Sequence, residues 1–129
     1  MVNNIFSTIV RNIKKSFSWS GRASRKEFVI FHLFFYVYTF SLYFLINCFE
    51  DDISNVQKIL IIITLLMSLF GLKLIFSSFS LIVRRLHDLN TSAWWLLITF
   101  IPFGALLFFA LPFKKGSSGT NKYGEPPIN

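Results

Sequence analysis

His87 and Asp88 stand side by side, and a histidine beside a carboxylate is the pairing that proton transfer uses near neutral pH. The remaining parts of such a site are missing. A phosphohydrolase built on a His-Asp pair needs further His and Asp ligands. The one other histidine is His32, and Asp51 and Asp52 fall beyond the opposite end of the apolar run that contains it. No Ser-His-Asp order, glycine-rich phosphate loop or HExxH pattern occurs. Adjacent helical residues also point about 100° apart, so His87 and Asp88 need not touch. The single cysteine, Cys48, excludes an internal disulfide and a multi-cysteine metal site. Enzyme activity is not expected, and an interfacial enzyme using His87 ranks last among the readings. No catalytic, cofactor-binding or metal-binding residue is assigned.

Arginines form the second candidate cluster. Arg22, Arg25 and Glu27 precede one apolar run, and Arg84, Arg85, His87 and Asp88 follow the next. If both runs cross a bilayer, the two groups share one surface and can meet as Arg–carboxylate forks. Such pairs would pin helix ends together. Four arginines against two carboxylates also leave a surplus of positive charge suited to an anion such as a lipid headgroup.

Lys73 is the sharpest single residue, because it interrupts the second run about 15 Å from its end. A charge near a bilayer centre costs about 2.5–3.5 kcal/mol, so Lys73 is expected to face protein or water. Ser77, Ser80 and Arg84 follow on its face as a polar track, while Thr64, Ser68, Gly71 and Ser78 offer a neighbouring helix a close approach. At matching depth lie Tyr38 and the Ile98 carbonyl, which Pro102 deprives of its helical donor. An ammonium bonded to both is the structural expectation. A proton or anion path within an oligomer is the functional one.

The elements that position these residues follow from composition. The chain has 129 residues, 53% of them hydrophobic, 19% aromatic and only 15% charged. Its mean hydropathy is +0.57. A soluble domain carries about 25% charged residues, so lipid is the solvent that suits this surface. Uncharged or nearly uncharged runs cover 28–49, 59–83 and 93–113, each long enough to cross about 30 Å of hydrocarbon as a helix. Residues 1–17 carry apolar side chains at helical spacing opposite Asn3, Asn4, Arg11, Asn12, Lys14 and Lys15, which predicts an amphipathic helix lying in the headgroup plane. Trp19, Trp94 and Trp95 fall where interface anchors belong. Residues 114–129, rich in Gly, Ser and Pro, read as a flexible tail.

The net charge of +7 is gathered in blocks beside the apolar runs, which favours anionic headgroups over nucleic acid. With three spans and the N-terminus in the cytoplasm, eight flanking Lys and Arg lie inside and four outside. If Pro102 and Gly104 instead folded the third segment back on itself, the division would be eleven against one.

Gly21-Arg22-Ala23-Ser24-Arg25-Lys26-Glu27-Phe28 is similar to the entry motif of the DUF805 family of small bacterial inner-membrane proteins. Arg84-Arg85-Leu86-His87-Asp88 with Trp94-Trp95 resembles its second motif, and residues 119–126 resemble its closing tail. The family places glycines after the His-Asp pair, where this chain has Asn90 and Ala93. Asn tolerates a left-handed backbone and Ala is small, so the turn is expected to survive. The resemblance implies a multi-pass protein of the bacterial inner (plasma) membrane with no assigned activity.

The expectation is an all-α membrane protein with one interfacial helix, three transmembrane helices and a short tail. Its leading role is non-enzymatic, a component whose Arg-rich cytoplasmic surface binds anionic headgroups or a membrane-protein partner. A homo-oligomeric transporter or channel subunit around Lys73 is the alternative.

Overall fold

The computed structural model describes residues 2–47, 55–102 and 104–127, and every helix or strand named among them is helical. Helix α1 spans Val2–Lys14, α2 Arg25–Asn47 and α3 Asn55–Asp88. A 3₁₀ helix, Ala93–Phe100, and a short α4, Ala105–Ala110, follow. Cys48, Asp51 and Asp52 lie outside the described residues.

Helices α2 and α3 are long and apolar enough to cross a bilayer. Their outer faces stay bare, with Val37, Phe40, Leu65 and Leu66 all well exposed. The two pack where α3 is small. Gly71 lies under the Tyr38 ring, the Tyr38 hydroxyl donates to the Met67 carbonyl, and Ser78 meets His32 Nε2 at 2.9 Å. His32 Nδ1 must donate to the Phe28 carbonyl at 2.8 Å, which leaves Nε2 to accept from Ser78. Gly71 and Ser78 thus serve the close approach expected of them.

Helix α1 packs in an unexpected sense. Asn12 and Ser16 are fully buried against α3, whereas Ile5 and Phe6 are exposed. The Ser77 hydroxyl donates to the Asn12 carbonyl at 2.6 Å, and Ser80 donates to the carbonyls of Lys15 and Ser18 at 2.9 and 2.6 Å. The polar track below Lys73 is therefore filled by the end of α1.

At about 51 Å, α3 is longer than a bilayer core needs. Its last eight residues, 81–88, are all buried in protein. They form the centre of a head completed by the end of α1, the segment before α2 and the C-terminal residues. The helix stops at Asn90, whose φ of 58° is left-handed. The Thr91 N–H bonds the Leu86 carbonyl and the Asn90 N–H the His87 carbonyl, the paired bonds of a Schellman cap. Asn thus fills the glycine position, as expected.

Two expectations need correction. The run 93–113 is not a single spanning helix. Pro102 supplies no N–H, Ile101 turns extended, and the Gly104 N–H bonds the Ile101 carbonyl at 2.8 Å. A Cβ on Gly104 would collide with the Ile98 carbonyl, so the reversal requires glycine there. Both ends of the segment return to the end of α3, since Thr91 bonds Leu86 and Arg85 donates to the carbonyls of Leu111 and Lys114. The second correction concerns the tail. Residues 114–127 fold over the head, because the last turn of α3 has carbonyls without helical partners. Ser117 supplies both its N–H, at 2.8 Å, and its hydroxyl to the Asp88 carbonyl, while Asn121 Nδ2 supplies the His87 carbonyl at 3.0 Å.

Candidate functional site

The two arginine motifs meet in the head as two Arg–carboxylate–Arg triads. In the first, Arg22 reaches Asp88 Oδ1 from Nε at 2.9 Å and from Nη2 at 2.8 Å, and Arg85 Nη1 donates to Asp88 Oδ2. The spare donors of both arginines go to backbone. Arg22 holds the Gly119 and Ser117 carbonyls at 2.6 and 2.7 Å, and Arg85 holds those of Leu111, Ala23 and Lys114. Each of the two side chains is 1% exposed. Gly116 presses on this centre, and a Cβ there would overlap the Asp88 carboxylate.

The second triad is looser. Glu27 stands 3.4 Å from Arg84 and 3.5 Å from Arg11, whose side chain is half exposed. Arg84 Nη2 also donates to Asn12 Oδ1 at 2.7 Å, and Arg84 Nε is buried without a hydrogen-bond partner among the described residues. Ser24 caps α2 by accepting the Glu27 N–H at 3.2 Å, which leaves the Glu27 carboxylate free for the arginines.

Among the described residues, the contacts of His87 are to an aromatic ring and a backbone carbonyl. Its ring stacks on Tyr123 with centroids 3.8 Å apart and planes 7° from parallel, and Nδ1 faces the Gly21 carbonyl at 3.3 Å. Burial pushes the His87 imidazole below its ordinary value. The Gly21 carbonyl pulls it back up and nearby Lys122 adds to the lowering. A histidine harder to protonate when folded contributes its full stability above its unfolded value of about 6.5 and loses it as pH falls below that. Tail docking is thus expected to weaken below about pH 6.5. Protection of the Ser117, Asn121 and Gly124 amides from hydrogen exchange reports it, and a His87→Gln variant should lose the pH dependence.

Beside the Arg22–Asp88–Arg85 triad lies a cavity of about 200 Å³, with Arg25 and Lys115 at its exposed rim. Burial lowers the Arg85 guanidinium from its usual value, Asp88 raises it, and the positive charges of Arg25 and Arg22 lower it further. Arg25 is therefore close enough for its charge to be felt at the buried triad.

Of the residues singled out in the sequence, Arg22, Glu27, Arg84, Arg85 and Asp88 come together, with Arg25 beside them. Trp19, Trp94 and Trp95 are exposed. Lys73 is also exposed, and the partners expected for it are engaged elsewhere. Tyr38 donates to Met67, and the Ile98 carbonyl accepts the Ile101 N–H at 3.1 Å. Sequence reasoning missed Asn12, Ser16, Gly116 and Asn121. Asn12 carried the one available signal, an amide inside an apolar-periodic helix that faces an arginine when the helix docks.

The fold and its buried arginine centre define a helical membrane-type protein with a basic head. The family model described as "Protein of unknown function (DUF805)" matches residues 16–125, and the chain belongs to that family. It is 34% identical over 118 residues to the inner membrane protein YhaI of Escherichia coli K12, covering 89% of this chain and 90% of the relative. It is 32% identical over 116 residues to the inner membrane protein YhaH of the same strain, covering 89% and 91%. No solved structure matches.

Proposed function

We propose that the protein is a non-enzymatic inner-membrane component, crossing the bilayer with α2 and α3, whose cytoplasmic head binds the anionic headgroups of the inner leaflet. The observation that carries this reading is the distribution of charge about the α2–α3 pair. Eleven of the twelve Lys and Arg outside the apolar runs belong to the segments of the head, and Lys58 alone stands at the other end. By the positive-inside tendency, that asymmetry supports a cytoplasmic head and N-terminus. Buried Arg22 and Arg85 are spent on Asp88 and on backbone carbonyls, so the headgroup ligands are the exposed cations around them, Lys14, Lys15, Arg25, Lys26, Lys114 and Lys115. Exposed Phe6, Phe17, Trp19, Trp94 and Trp95 surround the same end and suit the boundary between headgroups and acyl chains. Lys73 lies one turn below the Ser77 contact with α1. With Tyr38, Ser77 and Ser80 already bonded within one copy, a transport path at Lys73 has the weaker support.

Fluorescence quenching of the three tryptophans tests the proposal. In mixed bilayers, brominated phosphatidylglycerol is expected to quench more than brominated phosphatidylcholine at equal mole fraction. The excess should shrink with salt and with Gln at Lys14, Lys15, Lys26 and Lys114, each worth about 1 kcal/mol. Equal quenching by the two lipids would rule the headgroup reading out.

A further inference from the structure

We infer that the cavity bounded by Arg22, Arg25, Arg85 and Lys115 is a discrete seat for one phosphate group. This rests on the headgroup reading but narrows it from a charged surface to a single site. Four cations and one carboxylate line the cavity, a surplus of three positive charges. Two of those cations, Arg22 and Arg85, are almost completely buried and share the single carboxylate of Asp88. The backbone carbonyls they hold satisfy their N–H groups but cancel no net charge. A buried positive charge without its own counterion is costly, and an anion in the adjoining space relieves it.

The rim supplies what the buried pair cannot. Arg25 and Lys115 are exposed and belong to none of the ion pairs among the described residues, so their donors are free to close on a ligand. Ser24 and Ser118 also line the space. One water needs about 10–15 Å³, so about 200 Å³ admits a tetrahedral anion with part of its water shell. A phosphate presents charge and several acceptor oxygens together, which matches a guanidinium and an ammonium converging from two sides. The arrangement keeps the buried arginines fixed by Asp88 and leaves the two flexible cations to grip.

The experiment uses full-length protein, delipidated in neutral detergent and titrated calorimetrically with three probes. These are inorganic phosphate, short-chain phosphatidylglycerol and short-chain phosphatidylcholine. Saturable binding near one per chain supports the seat. Binding of inorganic phosphate identifies a soluble source, and binding of phosphatidylglycerol alone identifies a lipid headgroup. The double variant Arg25→Gln, Lys115→Gln should weaken binding about tenfold for each cation removed. Both side chains lie outside the buried bonding network, and Arg25→Lys with Lys115→Arg should retain binding. The Gln variant of Lys14, Lys15, Lys26 and Lys114 should keep this binding even as its quenching preference fades, which separates the seat from the general basic surface. Absence of saturable binding by any probe, or unchanged affinity in the Arg25→Gln, Lys115→Gln variant, overturns the assignment.

Discussion

Replacing Asp88 by Asn is expected to unfold the head at a cost of about 3–5 kcal/mol while leaving α2 and most of α3 helical. The side chain keeps its shape but loses the charge that faces both Arg22 and Arg85, each 1% exposed and close on the carboxylate. Two buried guanidinium groups then repel one another in a medium that screens them poorly. The tail should detach as well, because Arg22 is what holds the Ser117 and Gly119 carbonyls. Glu27→Gln provides the internal scale. Its contacts are 3.4 and 3.5 Å long and one partner is half exposed, so the loss should be clearly smaller. Denaturant unfolding in detergent, followed by tryptophan fluorescence, measures both. Adding Arg22→Met to Asp88→Asn should recover part of the stability by removing one unpaired charge. Equal losses for the two carboxylates, or no recovery in the double variant, would show that the buried triad is not what holds the head.

The arginine–carboxylate pairing was legible in the sequence because few alternatives exist for charged residues flanking two apolar runs that share a surface. Asn90 was legible for a similar reason, since few side chains adopt a left-handed turn. The inward face of α1 was not. Periodicity separates apolar from polar residues but does not say which face meets protein, and in a membrane environment Ile5 and Phe6 can face lipid while Asn12 and Ser16 meet Arg84 and Ser77. The order of the tail was hidden because its bonds go to the carbonyls of residues about 30 positions earlier. Composition reports how a segment behaves alone, and this one is held by the unsatisfied end of another helix. The third apolar run passes a length test whether it crosses or turns back. The crowding of Gly104 against Ile98 and the bonds from Arg85 to the Leu111 and Lys114 carbonyls distinguish the two.

That reversal carries the second large effect, on the side of the membrane to which the chain returns. A cysteine introduced by Thr120→Cys in a Cys48→Ser background is expected to resist a membrane-impermeant maleimide in intact cells and to react once the membrane is opened. A Lys58→Cys variant in the same background should label from outside. Thr120 is exposed, so protection cannot come from burial within the protein. Arg85, near the end of α3, donates to Leu111 and Lys114, and Arg22, before α2, donates to Ser117 and Gly119. Moving the tail across the bilayer would break all of these bonds and leave both buried arginines with unfilled donors. It would also carry Lys114, Lys115 and Lys122 against the charge asymmetry that orients the other segments. A straightened third helix would gain regular backbone bonds in lipid, but Pro102 would still lack one and Ile98 would still lose its donor. The balance therefore favours the folded-back form, with Pro102 and Gly104 at its tip. Labelling of Thr120→Cys from outside would instead mean three crossings, and the phosphate seat, which needs Lys115 beside Arg25, would fall with the folded-back form.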